Sequence, residues 1–211
     1  MKIALINGSP RHKDSASAVI LQMLKRMLAE ENEILELYCA TPAFAEHDLK
    51  QITSCDRLVF SFPLYVDAIP SHLLRCLSQL EEAYSAKAGS KPAVYALVNC
   101  GFYEGSQNSV ALDIIKNWCH KAGPTYGQGI GMGGGGMLLA ISGVPDDKGP
   151  KRIVYEAIKT MANNILAGAS ADNLFVSPGF PRFAYKLSAE FGWRKAIKEN
   201  GLKVKDLSRR M

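Results

Sequence analysis

The chain has 211 residues, is 47% hydrophobic and carries a formal net charge of +5. This length suits one hydrophobic core with a short appendage better than two domains. The first apolar run is too short for a signal peptide, and nowhere are there the roughly 18 consecutive apolar residues that a membrane helix requires. We therefore expect a cytoplasmic protein without a transmembrane segment.

The cysteines argue against a metal centre. They are odd in number, widely spaced and form no C-x-x-C pair, so they suggest neither a disulfide framework nor ligands for zinc or an iron-sulfur cluster. We expect reduced thiols that pack as small apolar groups. The five positions are Cys39, Cys55, Cys76, Cys100 and Cys119.

Strand-like runs alternate along the chain with segments of helical period. The strand-like runs are, in order, KIALIN, EILELY, RLVFSF, PAVYALVNC and a fifth around residues 126–131. The intervening segments place apolar residues at spacings of three and four, and Gly123 and Gly168 are expected to end two of the helices. This alternation predicts an α/β, doubly wound, five-stranded parallel sheet of strand order 2-1-3-4-5, occupying residues 1–171.

The loop after the first strand contains the groups that a phosphate needs. In such a sheet, ligands bind at the carboxyl ends of the strands where the strand order reverses, here between the first and third strands. The stretch GSPRHKDSAS supplies hydroxyls from Ser9, Ser15 and Ser17, the Arg11 guanidinium and the amides that open the next helix. The alternative is a plain turn in which Ser15 or Ser17 only caps the helix.

The loops after the third and fourth strands can border a flat ring. Two prolines stiffen the stretch PLYVDAIPSHLL, which displays Leu64, Tyr65 and Val66 after Pro63, although Tyr65 alone could be a partly buried loop aromatic. The next loop offers Asn99 and the amides of Cys100 and Gly101. One phosphate loop and two ring-contacting loops at one edge describe a site for a mononucleotide with a large planar base.

The glycine run GQGIGMGGGGM competes for the role of phosphate loop. It contains the spacing G-x-G-x-x-G twice, but MLLAISGVPDD follows, which is apolar and then turn-like, so no helix N-terminus is expected to face the glycines. Asp146 and Asp147 also follow the glycines by fewer than the roughly 20 residues that are expected before a ribose-binding acid. We interpret these glycines as positions of close backbone approach, at most a flexible wall of the same site.

The last segment, residues 172–211, is basic and aromatic. It has nine Lys or Arg against four acids, which leaves the first 171 residues balanced and gives no support for a nucleic-acid partner. Phe183, Leu187 and Phe191 predict a short amphipathic helix before Gly192. We expect its aromatic face to dock on the parent domain or across a dimer; the alternatives are a cationic flap near an anionic dinucleotide and weak contact with a membrane surface.

With NGSPR after the first strand, Ser17 six residues past Arg11, and FPLYVDAIPSHLLRCL after the third strand, residues 1–170 resemble the NAD(P)H-dependent FMN reductase-like flavoproteins of flavodoxin-like fold. The resemblance implies a homodimer that passes hydride from NADH or NADPH through bound FMN to a quinone, nitroaromatic, azo or flavin acceptor, with the chemistry carried by the flavin and no catalytic side chain. Its implied phosphate ligands are Ser9, Arg11, Ser15 and Ser17. Its implied isoalloxazine contacts are Pro63, Leu64, Tyr65, Val66, Asn99, Cys100 and Gly101.

The phosphate loop departs from the family pattern, which more often has Gly and Asn where this chain has Asp14 and Ala16. A carboxylate beside a phosphate is unfavourable unless it points away or pairs with His12 or Lys13. Two other hypotheses for the whole protein are a non-enzymatic electron carrier of flavodoxin type and a flavin-binding redox regulator. Such carriers are typically strongly acidic in order to dock on basic partners, whereas residues 1–171 are charge-balanced.

Overall fold

A computed structural model describes residues 1–11, 14–86, 89–141 and 143–208. Strands and helices alternate, as the sequence predicts. The strands are β1 (Lys2–Asn7), β2 (Glu33–Tyr38), β3 (Arg57–Pro63), β4 (Ala93–Asn99), β5 (Thr125–Met132) and β6 (Leu174–Val176). The helices are α1 (Ala16–Leu28), α2 (Glu46–Thr53), α3 (Ser71–Ser85), α4 (Ser109–Ala122), α5 (Gly135–Ala140), α6 (Arg152–Ala167) and α7 (Arg182–Glu199).

The strands form one parallel sheet of order β2-β1-β3-β4-β5-β6. The predicted order of the first five strands is confirmed, whereas the prediction of five strands in all is wrong by one. The additional strand, β6, pairs with residues 130–132 of β5 and lies within the segment assigned to the C-terminal extension. Side chains hold it there, because Asn173 Oδ1 accepts from the Tyr126 hydroxyl at 2.8 Å and from the Gly129 amide at 2.9 Å.

Two hydrophobic layers cover the sheet, one on each face. Helices α2, α3 and α4 pack on one face, and α1, α5 and α6 pack on the other. The central strand β4 is buried along its whole length, which explains its continuous apolar sequence. The predicted helix ends at Gly123 and Gly168 are confirmed, since both adopt the left-handed conformation that a side chain disfavours.

The sequence predicts no helix next to the glycine run, but the structure contains one. Gly134, in the left-handed conformation at φ +66°, turns the chain, and the six-residue helix α5 begins immediately after it. The amide of Gly135 donates to the Cys100 carbonyl at 2.8 Å, and Leu138 is fully buried. Tertiary contacts therefore make this short glycine-rich segment helical despite its weak intrinsic propensity.

Helix α7 is longer than predicted and more exposed. It continues through Gly192 to Glu199, and none of its residues is buried. The three residues of the predicted aromatic face, Phe183, Leu187 and Phe191, are exposed in the single chain, and the docking of this face on the parent domain or across a dimer stays a prediction. Within the described residues, no helix is both long and apolar enough to cross a membrane.

Candidate functional site

The loops after β1, β3 and β4 meet at the carboxyl edge of the sheet, at the predicted reversal point. The amide of Gly8 donates to the Ser61 carbonyl at 2.8 Å, and the amide of Leu64 donates to the Asn99 carbonyl at 2.8 Å. These loops and the start of α5 enclose an open cleft of about 260 Å³. Its lining residues are Ser9, Arg11, Asp14, Ser15, Ala16, Pro63, Leu64, Tyr65, Asn99, Cys100, Gly101, Gly135, Gly136 and Leu139.

The structure brings nine of the eleven predicted site residues to this cleft. The two that do not line it are Ser17 and Val66. Ser17 is buried behind the cleft wall, whereas Val66 is 98% exposed at the tip of its loop. The three-loop prediction thus describes one continuous surface, with these two exceptions.

Asn99 ties the three loops together. Its side-chain amide donates to the Ser17 hydroxyl at 2.9 Å and to the Phe62 carbonyl at 3.1 Å. The Ser61 hydroxyl also donates to the Ser17 carbonyl, at 3.2 Å. Ser17 therefore positions the first turn of α1 against β3 and β4, and Asn99 joins all three elements.

Hydroxyl, guanidinium and backbone groups line one end of the cleft. Ser9 is held by its amide, which donates to Asn7 Oδ1 at 3.0 Å, and its hydroxyl accepts from the Arg11 amide at 3.2 Å. Ser15 caps α1 by accepting from the Ala18 amide at 3.2 Å. The first amides of α1 have no acceptor within the helix, so they and the Arg11 guanidinium make this end suitable for an anion.

An acidic side chain also lines this end. Asp14 is exposed and lines the cleft. The two basic residues considered as its partners, His12 and Lys13, lie outside the described residues.

The other end of the cleft is apolar and is formed by Pro63, Leu64 and Tyr65. Residues 65–68 make a tight turn in which Tyr65 and Ala68 exchange two backbone hydrogen bonds of 3.0 Å. The two central residues have positive φ, +48° at Val66 and +58° at Asp67. A β-branched side chain is strained at such a φ, so Val66 stores conformational energy beside the cleft.

We expect Val66→Asn to raise the free energy of unfolding by about 1 kcal/mol, because Asn tolerates the left-handed conformation and the exposed valine loses little packing. For a chain of this length that corresponds to a rise in Tm of roughly 2–4 °C, measurable by calorimetry. Val110→Asn, at an exposed helical position of α4, is the control and should give no gain. Equal Tm changes in the two variants would contradict the strain.

Cys100 and Gly101 contribute differently to the third side of the cleft. The Cys100 amide is engaged, donating to the Met132 carbonyl at 2.9 Å, and burial raises the pKa of its thiol, so the sulfur is neutral at physiological pH. By contrast, the Gly101 amide donates to no acceptor within the described part of the chain and is available to a ligand. Of the two amides predicted to border a ring, only that of Gly101 is therefore available to a ligand, and its contact with a ring stays a prediction.

Sequence reasoning missed one group that shapes the cleft. Tyr38, at the end of β2, donates its hydroxyl to the Pro10 carbonyl at 2.8 Å and so braces the first loop. Gly135 and Gly136 form part of the wall, and a Cβ on Gly135 would lie 2.7 Å from Asn99 Oδ1. The interpretation of the glycine run as a place of close backbone approach matches this geometry.

No protein-family model and no curated protein matches this sequence. Among solved structures, an NADH:FMN oxidoreductase in its apo form aligns with a TM-score of 0.61 at 18% identity, over 81% of this chain and 90% of that chain. An NADPH-quinone reductase from P. pentosaceus aligns with a TM-score of 0.55 at 15% identity, over 77% and 98% of the two chains. An azoreductase from Bacillus anthracis str. Sterne aligns with a TM-score of 0.52 at 16% identity, over 78% and 98%.

These similarities confirm the predicted flavodoxin-like fold and the structural resemblance to FMN reductase-like proteins. Identities below one fifth are informative about the arrangement of strands and helices, whereas function depends on the particular groups in the cleft.

Proposed function

We propose that this protein is an FMN-dependent oxidoreductase that transfers hydride from NADH or NADPH through bound FMN to a quinone, nitroaromatic, azo or flavin acceptor. One observation carries the proposal: a cleft at the strand-order reversal joins an end lined by hydroxyls, a guanidinium and helix-opening amides to an apolar end. The structural neighbours, which include an NADH:FMN oxidoreductase and an NADPH-quinone reductase, support the proposal.

The residues of the cleft fit FMN in chemistry and in order. Ser9, Arg11 and Ser15, with the first amides of α1, would hold the phosphate by charge-assisted hydrogen bonds. Pro63, Leu64 and Tyr65 would lie along the isoalloxazine, and the Gly101 amide would donate to one of its heteroatoms. Asn99 would border the ring while Ser17 holds that asparagine in place.

The flavin, when bound, supplies hydride acceptance and donation, so the protein has to bind, orient and shield it. No side chain of the described cleft is assigned as a general acid or base. The neutral Cys100 thiol is a weak nucleophile, which keeps it from reacting with electrophilic acceptors.

The experiment is to load the purified full chain with FMN, record its visible spectrum, and measure steady-state oxidation of NADH and NADPH with a quinone acceptor. We expect two bound-flavin bands and turnover that requires both the protein and the acceptor. Flavin binding without turnover with either nucleotide would favour the electron carrier or the redox regulator. Failure to bind FMN would reject all three hypotheses.

Asp14→Asn is expected to tighten FMN binding about fivefold, because it removes a carboxylate from the phosphate end of the cleft. Asp14 is exposed, and two like unit charges about 4 Å apart in water repel by about 1 kcal/mol, which corresponds to such a factor. Titration followed by flavin fluorescence measures the dissociation constant, and the gain should shrink at high salt. Asp113→Asn, an exposed acid on α4 away from the cleft, is the charge-matched control. An equal gain there would show only a general effect of net charge.

A further inference from the structure

A second, larger groove adjoins the cleft. It lies between the loop of residues 101–104 and one face of α7, and its volume is about 590 Å³, within the range of small-molecule sites. Four aromatic side chains and two cations among its lining residues matter for the argument: Phe102, Tyr103, Tyr185, Trp193, Arg182 and Lys186.

Specific contacts fix the groove in place. The Tyr185 hydroxyl donates to the Gly101 carbonyl at 2.6 Å, and the Tyr103 hydroxyl donates to the Phe180 carbonyl at 2.7 Å. The rings of Tyr103 and Tyr185 meet edge to face, with centroids 5.7 Å apart. An ion pair of 3.1 Å joins Arg182 to Glu104. The start of α7 is therefore bound to the loop that ends the cleft, and the groove is built into the fold.

The groove and the cleft share one lining residue, Gly101, whose carbonyl accepts a hydrogen bond from the Tyr185 hydroxyl. The two spaces therefore adjoin at Gly101, and a ligand longer than either one can contact both.

The groove combines exposed aromatic surface with charged side chains of both signs, since Glu104 and Glu190 line it together with Arg182 and Lys186. Phe102 and Trp193 remain 55% and 73% exposed, although aromatic side chains of this size gain from being covered. Of the two cations, Arg182 is paired with Glu104, and Glu190 lies 3.9 Å from Arg194. Lys186 has no carboxylate within ion-pair distance in the described part of the chain, and it lines the groove together with the aromatic side chains.

We propose that this groove binds the adenosine diphosphate half of NADH or NADPH while the nicotinamide half reaches the cleft past Gly101, an inference that rests on the proposed function. Adenine offers a flat ring that stacks on aromatic side chains. The diphosphate offers negative charge to Lys186, which has no carboxylate partner in the described part of the chain, and to Arg182, which is paired with Glu104. A dinucleotide has this sequence of chemistry along its length: ring, diphosphate, ring. The groove supplies the complement of the adenine and the diphosphate, and the cleft would hold the flavin that the nicotinamide has to reach.

The two apolar faces of α7 provide a control within one helix. Trp193 and Lys186 lie on the face that lines the groove, whereas Phe191 and Lys195 do not line it. Phe191 and Trp193 are both 73% exposed, so truncating either removes similar exposed aromatic surface.

The experiment uses the full chain loaded with FMN and titrated with ADP-ribose, with binding followed by calorimetry and by quenching of tryptophan fluorescence. We expect Trp193→Ala and Lys186→Glu each to weaken ADP-ribose binding at least fivefold and to raise the KM for NADPH or NADH by a similar factor. The KM for the quinone and the dissociation constant of FMN should not change. Phe191→Ala and Lys195→Glu should leave all four constants unchanged.

Several outcomes would overturn the inference. Wild-type protein that does not bind ADP-ribose would reject it, as would equal losses in the groove variants and the control variants. A rise in the quinone KM instead would assign the groove to the acceptor. Conversion of a dimer to a monomer by Trp193→Ala, seen by sedimentation, would make the groove an interface between two copies. Because ADP-ribose binding needs no turnover, it is measured separately from the proposed activity, which fails only if FMN binding or nucleotide oxidation is absent.

Discussion

Replacing Gly133 by alanine should lower the free energy of unfolding by about 3 kcal/mol or more. A Cβ at this position would overlap the backbone carbonyl of Tyr103, and backbone cannot rotate away as a flexible side chain can. Thermal unfolding of the purified variant should show Tm reduced by roughly 6–12 °C for a chain of this length. FMN binding should weaken as well, because the clash displaces the loop that carries Gly101.

Gly136→Ala is the matched control for Gly133→Ala. Both glycines belong to the same run, but a Cβ on Gly136 would meet no atom within 4 Å, and Gly136 lies within α5. Alanine is favoured over glycine in a helix by about 0.5–1 kcal/mol, so this variant should be neutral or slightly stabilised. Similar Tm losses in both variants would contradict the close approach at Gly133.

Asn99→Ala should have the second large effect, a loss of about 2–4 kcal/mol of stability together with at least tenfold weaker FMN binding. The substitution leaves the Ser17 hydroxyl and the Phe62 carbonyl without their donor in a buried region, and each unsatisfied group costs about 1–3 kcal/mol. The loss of this tie also frees the three loops that form the cleft. Urea unfolding and flavin titration measure the two effects.

A double-mutant cycle isolates the contact between Asn99 and Ser17. Ser17→Ala removes one acceptor of the asparagine amide and leaves the other, so it should cost less than Asn99→Ala. If the pair acts as the geometry indicates, the double variant should be more stable than the sum of the single losses predicts, by about 1 kcal/mol. Strict additivity would mean that Ser17 does not act through Asn99.

The arrangement of the main strands and helices could be predicted because the signals are local. Continuous apolar runs mark the buried parallel strands, and stripes at spacings of three and four mark the helices that cover them. Glycines at positions 123 and 168 marked helix ends because the left-handed conformation there favours glycine. The strand order followed from connection rules rather than from particular residues.

The missed elements depend on contacts between distant parts of the chain. The strand β6 has only three residues, and its position depends on Asn173, which binds groups on β5 about 45 residues earlier. Helix α5 consists largely of glycine and small apolar residues and is held by the Cys100 carbonyl and by burial of Leu138. Neither contact leaves a periodic pattern in the local sequence.

The same distinction explains the site predictions. The three loops could be placed because strand ends in a parallel sheet share one edge. The direction in which a particular side chain points could not be predicted from the strand ends. In the structure, Ser17 is a buried positioning residue and Val66 points to solvent. The resemblance groups these residues by loop, whereas the hydrogen bonds of Asn99 show that Ser17 positions the asparagine and does not line the cleft.

The short edge strand β6 has a consequence for how far the chain can be shortened. The Gly133 amide donates to the Val176 carbonyl at 2.9 Å, and the same Val176 backbone packs against Gly105 at the far side of the cleft wall. A cut after Ala171 would therefore uncover the edge of β5, which is a template for intermolecular pairing. It would also remove the hydrogen bond that holds Gly133. A deletion meant to separate the basic tail from the rest of the protein has to begin beyond Val176, where the sheet ends.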